Sequence, residues 1–281
     1  MHLELTFETE GGTALRLPRA NLNILQAAIY SFLSEDLATF LHDQGFVLGE
    51  RHFKFFTFSW LCGQGKILPA GDHLGFTPPL SLVVASPLRH FLEEVAACPA
   101  AHPQLRLGNQ RLSCTGVRVR HHRASGGRIV VRTLSPITCY SSLQRPDGHP
   151  YTAYHEPAEP IFSALVSANL EQKYRALFDA PAPGAVTCRP VGKPRLQVAR
   201  FSSRDSFPIK GWWGTFVLEG PDDLLQLALD AGCGAKSSLG WGCVEPCGAR
   251  EREGGHDDGV SRRSAAPRGD GGDGRSARQF P

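Results

Sequence analysis

One short stretch of this 281-residue chain concentrates residues that could bind an anion. It reads Gly232-Cys-Gly234-Ala-Lys236-Ser-Ser238-Leu-Gly240-Trp-Gly242, with four glycines in eleven residues. Closely spaced glycines let backbone N–H groups turn towards an anion, and Lys236 adds a positive charge. In a nucleotide-binding P-loop a glycine directly precedes the lysine and a helix follows, whereas Ala235 precedes Lys236 here and a strand is predicted to follow. A loop that follows a polynucleotide backbone fits this run better than a P-loop does. The alternative to an anion-binding loop is a glycine-rich turn needed for tight helix-to-strand packing.

Positive charge is segregated along the sequence, although the formal net charge is only +3. Residues 95–146 contain eight arginines and no acidic residue, and residues 180–204 contain four arginines, one lysine and no acidic residue. Arginine suits bidentate phosphate recognition, so this pattern favours a nucleic-acid-binding surface over the alternative, a solvated basic face. The residues predicted to bind nucleic acid are Arg118, Arg120, Arg128, Arg195, Lys210, Gly232, Gly234, Lys236, Ser238, Gly240 and Gly242.

Hydrophobic periodicity predicts the same order of elements, β-α-β-β-α-β, in each half of residues 1–248. The first half has predicted strands at 3–7, 53–58, 80–84 and 112–120, and helices at 22–41, where Ser34 could divide the helix, and at 88–97. The second half has predicted strands at 128–134, 195–201, 213–218 and 241–245, and helices at 160–178 and 222–231. The chain is therefore predicted to be an α+β protein with two tandem ferredoxin-like, RRM-like domains, at 1–124 and 125–248.

The remaining composition excludes several classes of protein. Residues 249–281 carry seven arginines, six acidic residues and seven glycines but almost no aliphatic residue, which predicts a disordered tail. The longest apolar run, at 80–85, is far shorter than the about 18 residues of a membrane helix, and the first residues lack the pattern of a secretory signal. The eight cysteines include no Cys-x-x-Cys pair, so we expect reduced, mostly buried thiols, no metal site and a cytosolic protein.

The glycine-rich run and five other stretches resemble a known family, in the same order along the chain. The family is that of the CRISPR-associated repeat-RNA endoribonucleases, the "Cas-six" branch of the repeat-associated RNA-binding superfamily. The similarity covers residues 3 to 246, which is nearly everything except the tail. Besides the glycine-rich run, the matching stretches are Ala27–Tyr30 with Leu37–Asp43, Phe53–Ser59, Leu134–Ile137, Asn169-Leu170-x-x-Lys173-Tyr174 and Ile209–Gly214.

The resemblance implies a metal-independent endoribonuclease that cuts CRISPR repeat RNA into guide RNAs, without a cofactor. In this family the ribose 2′-hydroxyl attacks the adjacent phosphate, leaving a 2′,3′-cyclic phosphate and a 5′-hydroxyl. Tyr30, His42 and Lys54 stand at the family's catalytic positions. A histidine suits proton transfer near neutral pH, a fixed lysine suits charge stabilisation, and a phenol can hydrogen-bond the 2′-hydroxyl but is a poor free base. Read alone, the three would be a surface histidine, a core-edge tyrosine and a solvated strand lysine.

Alternatives remain open for the residues and for the function. His52 competes with His42, whereas His121 and His122 are expected to face RNA or solvent, and at most one of Trp212 and Trp213 can stack on a base. The chain could instead be a non-catalytic RNA-binding subunit of a CRISPR interference complex, or more distantly an enzyme acting on a small molecule. The expected partners are repeat RNA, as precursor and product, and subunits of an interference complex, with no membrane. The chain itself would be a monomer or a homodimer.

Overall fold

The computed structural model describes residues 1–69, 71–101, 104–205 and 207–247. The predicted tail at 249–281 lies outside the described residues. The helices are α1 (Leu22–Tyr30), α2 (Glu35–Thr39), α3 (Arg89–Ala101), α4 (Pro160–Phe178) and α5 (Asp222–Ala231). The strands are β1 (His2–Thr9), β2 (Leu15–Pro18), β3 (Phe46–Leu48), β4 (Arg51–Phe53), β5 (Thr57–Phe58), β6 (Cys62–Ile67), β7 (His73–Ala85), β8 (Gln104–Leu107), β9 (Gln110–Arg120), β10 (Arg128–Thr133), β11 (Tyr140–Gln144), β12 (Pro150–Tyr154), β13 (Thr187–Ala199), β14 (Ile209–Glu219) and β15 (Val244–Pro246).

The first half of the chain builds one antiparallel sheet in the order β2-β7-β1-β9-β8, with β5 and β6 also paired to β7. Side chains on β1 alternate, so that Leu3, Leu5 and Phe7 enter a core. From α1 and α3, Ile29 and Phe91 fill the same core. The helices therefore lie on one face of the sheet.

The second half builds a four-stranded sheet in the order β13-β14-β10-β15. Its core combines Val131 and Phe216 of the sheet with Phe162 of α4 and Leu224 of α5, all completely buried. Two small hairpins, β3–β4 and β11–β12, stand apart from the two large sheets. The predicted mixture of antiparallel sheets and packed helices is confirmed, in two sheet-and-helix layers.

Helix bounds follow local signals closely. The structure has α4 and α5 at the predicted residues, and the predicted helix at 22–41 is divided at Ser34, as expected. Beyond α2 the chain continues into a π-helical turn, Phe40–Gln44, which ends at Gly45 with a positive φ of 62°. A side chain at Gly45 would place Cβ 2.7 Å from the carbonyl oxygen of Phe53, so the turn and β4 approach closely only because this residue is glycine.

The predicted strand at 53–58 is wrong as a continuous element. It is divided into β4 and β5 by a bend at Lys54–Phe56, where Phe55 adopts a left-handed conformation with φ 49°. Phe55 is buried in the core of the second half and Phe56 in the core of the first. The left-handed Phe55 interrupts the strand between these two side chains, which enter different cores, and Lys54 lies on the bend.

Polar contacts join the two halves. The Arg120 guanidinium on β9 forms ion pairs with Glu4 on β1 (2.6 Å) and with Glu245 on β15 (3.4 Å). The Trp60 indole N–H donates to the backbone carbonyl of Gly240 (2.8 Å). No helix in the part of the chain that the structure describes is long and apolar enough to cross a membrane.

Candidate active site and nucleic-acid interface

Tyr30, His42 and Lys54 meet at one place in the first half. The ring centroids of Tyr30 and His42 are 6.3 Å apart and nearly perpendicular, and the Lys54 ammonium lies 5.9 Å from the centroid of the Tyr30 ring. The same ammonium donates a hydrogen bond of 3.1 Å to the backbone carbonyl of His42. Three separate elements supply the cluster: Tyr30 ends α1, His42 lies in the π-helical turn, and Lys54 lies on the bend between β4 and β5.

The hydroxyl group of Tyr30 is buried and has no hydrogen-bond partner among the described residues. Burial raises the pKa of Tyr30 to about 12. At neutral pH the phenol therefore keeps its proton, so it is a hydrogen-bond donor rather than a base. Its ring packs against Phe56 with centroids 5.8 Å apart, which fixes the direction of the hydroxyl.

His42 is the most accessible member of the cluster, with a side chain that is 75 % exposed. The Nδ1–H group donates to the Asp43 carboxylate over 2.7 Å, which leaves Nε2 for another partner. Burial lowers the pKa of Lys54, and the negative charge of Asp43 partly offsets this shift. The cluster thus combines an orientable imidazole, a partly desolvated ammonium and a buried phenol.

A cleft of about 770 Å³ opens beside the cluster, between the two halves of the chain. Arg51 to Phe56 line it from the first half, and from the second half it is lined by Tyr140, Asn169 and Ala235 to Leu239, among others. Its lining includes the cations Arg51, Lys54 and Lys236 and, in the described part of the chain, no acidic side chain. This arrangement suits a polyanion.

The four glycines of the glycine-rich run are buried inside the protein, and each has a positive φ between 76° and 83°. A Cβ atom at Gly242 would lie 2.0 Å from the carbonyl oxygen of Cys233, and one at Gly234 would lie 2.6 Å from that of Thr138. Packing thus requires glycine at these positions, as the alternative interpretation holds. Lys236 and Ser238 are the predicted RNA-binding residues of the loop that reach the cleft with their side chains, and Lys236 lies 5.2 Å from the centroid of the Tyr140 ring.

The predicted arginines have different surroundings. Arg120 is only 25 % exposed and is engaged by Glu4 and Glu245, so the structure gives it a role in joining the halves. Arg128 is exposed but lies 3.4 Å from the Glu219 carboxylate. The side chains of Arg118, Arg195 and Lys210 are exposed on β9, β13 and β14. For all of them, contact with RNA stays a prediction.

Other candidates from the sequence are also placed. The exposed His52 donates from Nδ1 to the carbonyl of Gln44 over 2.7 Å. The expectation for His122 is wrong, because its ring is half-buried at 4.6 Å from that of His2, whereas His121 is exposed. Trp212 belongs to the core, and Trp213 is half-buried with its ring 5.3 Å from Trp60.

Several cleft residues were not assigned a role from the sequence. The Asn169 side-chain oxygen is buried without a partner among the described residues, and Arg51 donates to the Gln172 amide oxygen. No composition signal marks Arg51 or Tyr140, which reach the cleft only through the small hairpins. Asn169 lies in a stretch that resembles the family, but the resemblance assigns no function to this side chain. Within the described ranges, no group of three or more His, Cys, Asp or Glu residues stands close enough to hold a metal ion.

Comparison with known proteins bears on the whole arrangement. Residues 119–246 match the family model for the C-terminal part of the CRISPR-associated protein Cas6. The second half of the chain is thus similar to the family that its sequence motifs resemble. The chain is also 27 % identical to the CRISPR-associated endoribonuclease Cas6 of Pyrococcus furiosus, over 83 % of this chain and 84 % of that protein.

Solved structures of Cas6 proteins share the fold. A structure titled "CRISPR associated protein Cas6" matches with a TM-score of 0.70 and 23 % identity, over 88 % of this chain and 99 % of that one. A Cas6-related protein from Pyrococcus furiosus matches with a TM-score of 0.75 and 16 % identity, over 89 % and 99 %. The likeness to Cas6 thus extends over both halves of the described chain.

Proposed function

We propose that this chain is a metal-independent endoribonuclease that cleaves CRISPR repeat RNA into guide RNAs. The observation that carries the proposal is the meeting of Tyr30, His42 and Lys54, from three separate elements, with Lys54 also lining a cleft that has no acidic side chain among its described lining residues. The endoribonuclease activity of the Pyrococcus relative, given in its name, supports the same reaction class.

The reaction needs a proton shift and a charge stabiliser, and no redox step. The ribose O2′ attacks phosphorus and loses its proton, a new O2′–P bond forms, and the P–O5′ bond breaks. The products would carry a 2′,3′-cyclic phosphate and, after O5′ takes up a proton, a 5′-hydroxyl. The crowded phosphorane between them carries additional negative charge.

His42 would act as the general acid for O5′. Its Nε2 is not engaged by Asp43, and its exposed position lets RNA reach it. The Asp43 carboxylate on Nδ1 orients the ring.

Tyr30 and Lys54 would act on the attacking oxygen and on the phosphate. Because Tyr30 stays protonated, its phenol can orient the 2′-hydroxyl by a hydrogen bond rather than remove its proton. Lys54 is held by the His42 carbonyl, so its ammonium is pre-organised for the oxygens of the phosphorane. In a partly desolvated site such a charge is more effective than in water.

The rest of the substrate would lie along the cleft and the exposed basic strands. Lys236 and Arg51 offer cations inside the cleft, and Ser238 offers a hydroxyl. Arg195 and Lys210 extend this positive surface on the sheet of the second half. We interpret the two halves as two ferredoxin-like domains, at 1–124 and 125–248, that hold RNA between them.

The decisive experiment is incubation with a repeat RNA in EDTA. Cleavage should persist in EDTA, fall about 10²- to 10⁴-fold in His42→Ala, and fail when a 2′-deoxy nucleotide precedes the cut. His90→Ala on the exposed face of α3 is the matched control and should cleave at the wild-type rate. His52→Ala tests the competing histidine. Cleavage that requires Mg²⁺ would contradict the metal-independent mechanism.

The same experiment separates the alternative, a non-catalytic RNA-binding subunit. That protein would bind repeat RNA in a salt-dependent manner and yield no cut product in any buffer. The exposed basic strands and the cleft serve binding equally well, so only the product decides between the two. A wild-type chain without RNA affinity at physiological salt would contradict both.

A further inference from the structure

One lysine is enclosed by the second half of the protein. Among the lysines and arginines of the described residues, only Lys173 on α4 is buried, with 4 % of its surface exposed. Its neighbours Leu170, Tyr174 and Leu177 pack in the core of the same half. Removing an ammonium group from water is costly unless its protons and its charge are compensated.

The compensation comes from the start of the glycine-rich loop. The Lys173 ammonium donates to the backbone carbonyls of Ala231 (2.8 Å) and Gly232 (2.7 Å) and to the Ser237 hydroxyl (2.9 Å). An ammonium has three protons, and all three are used. The two carbonyls stand at the C-terminal end of α5, where the helix dipole is negative, and in the described structure no carboxylate pairs with Lys173.

These contacts bracket the part of the loop that faces the cleft. Lys236 lies between the two ends held by Lys173, in a left-handed conformation with φ 62°. From the first half, the Gln26 amide donates to the carbonyl of Ser238 over 2.7 Å. The loop is therefore held from both sides, and the position of Lys236 over Tyr140 depends on this frame.

We propose that Lys173 is a positioning residue for RNA binding, which holds the loop from Ala231 to Ser237 so that Lys236 faces the cleft. The inference rests on the proposed function, and it assigns to Lys173 an effect on affinity rather than on the chemical step. An apolar residue in its place would pack against the core of α4 but would leave two carbonyls and a hydroxyl without their donor.

Titration of Lys173 supports this role. Burial lowers the pKa of Lys173 to about 8, and the titratable groups that face it are the thiols of Cys233 and Cys139. Burial raises the pKa of Cys233 to about 12 and that of Cys139 further, so both thiols stay neutral. Between pH 7 and pH 9, loss of the Lys173 proton removes one donor and the charge that holds the loop.

The test compares Lys173→Met with Arg175→Met, which removes the same charge from the exposed face of the same helix. Binding is measured with a repeat RNA blocked by a 2′-deoxy nucleotide, and the cleavage rate with saturating protein. We expect Lys173→Met to weaken binding about tenfold with little change in rate, and Arg175→Met to bind like the wild type. In the Lys236→Ala background, Lys173→Met should weaken binding further by less than about twofold. Wild-type affinity in Lys173→Met, or additive losses in the double variant, would overturn the proposal.

Two further measurements keep the proposal testable if Lys173→Met does not fold or the RNA is wrong. The affinity of the wild type for RNA should fall between pH 7 and pH 9. The affinity of Lys236→Ala should change much less over the same range. A wild-type affinity that stays constant between pH 7 and pH 9 overturns the proposal. If the wild type binds no repeat RNA, the proposed function fails, and amide exchange at Ala235 and Leu239 decides the holding role. These amides should exchange faster at pH 9 than base catalysis alone explains, and unchanged protection overturns that role.

Discussion

The Lys54 ammonium donates a 3.1 Å hydrogen bond to the backbone carbonyl of His42, twelve residues earlier in the chain. This contact connects the bend between β4 and β5 to the π-helical turn. It holds the cation of the candidate site next to the histidine through the main chain and not through the imidazole, whose Nε2 stays available beside the Nδ1 contact with Asp43. The geometry of the pair therefore depends on the bend at Phe55 as much as on either side chain.

Replacing Lys54 with Met should slow cleavage without preventing RNA binding. The substitution keeps the length of the side chain but removes the charge that would stabilise the phosphorane. Loss of one such pre-organised group costs about 10²- to 10³-fold in rate. Single-turnover cleavage at saturating protein measures the effect, and Lys66→Met, on the exposed strand β6, is the control. A variant that binds more weakly but cleaves at the wild-type rate would place Lys54 in binding only.

Replacing Tyr30 with Phe should have opposite effects on stability and on activity. The hydroxyl is buried without a partner in the described structure, and such a group costs about 1–3 kcal/mol in the folded state. We therefore expect Tyr30→Phe to unfold at the same or a higher urea concentration than the wild type, while cleavage slows. Ser31→Ala, next to it in sequence, is the control for a lost hydroxyl that does form a hydrogen bond, to Ala28. Lower stability of Tyr30→Phe would show that the hydroxyl has a partner in solution.

The two helices whose bounds were predicted correctly, α4 and α5, have start and end signals within a few residues of those bounds. In α4 the signal is Pro160 in the first turn, and in α5 it is the pair Asp222 and Asp223 in the first turn with Gly232 after the end. The bend at Phe55 was missed because its cause is distant: two consecutive phenylalanines enter cores built by different halves. Hydrophobic alternation over six residues cannot distinguish that arrangement from a strand.

The candidate site, too, depends on contacts between residues that are distant in sequence. The resemblance to a family pointed to Tyr30, His42 and Lys54, whereas periodicity alone offered only a surface histidine, a core-edge tyrosine and a strand lysine. The burial of Lys173 was not predictable from its own segment, since its three acceptors lie 58 to 64 residues later. The glycines were recognised, but their spacing suits an anion site and a packed turn equally, and only the neighbours of each Cβ position decide between them.

Replacing Gly242 with Ala should destabilise the protein strongly. The added Cβ would lie 2.0 Å from the carbonyl oxygen of Cys233, and φ is +76°, so both steric overlap and backbone strain act against the substitution. The matched control is Gly148→Ala on the tip between β11 and β12, where φ is +79° but no atom lies within 4 Å of the Cβ position. We expect the control to lose about 1 kcal/mol and Gly242→Ala to lose several times more in urea unfolding. Equal losses would mean that the loop relaxes around the new methyl group.

Protonation of His2 should make the folded state less stable in acid. Burial lowers the pKa of His2 to about 3, and the positive charges of His122, the N-terminus and Arg120 act in the same direction, against a hydrogen bond to the Leu229 carbonyl.

Because the pKa of His2 is lower in the folded chain than its usual 6.5, the folded state binds fewer protons than the unfolded state. The contribution of His2 is therefore complete above pH 6.5 and is lost as the pH falls from 6.5 towards 3, by roughly 1 kcal/mol at pH 5.5. Urea unfolding at pH 7.5 and pH 5.5 measures this loss. His2→Gln, which keeps a donor for Leu229, should remove that part of the pH dependence, whereas His121→Gln on the exposed surface should retain it. If both variants lose the same stability between the two pH values as the wild type, the acid sensitivity arises elsewhere, and the half-buried His122 beside His2 is the next residue to replace.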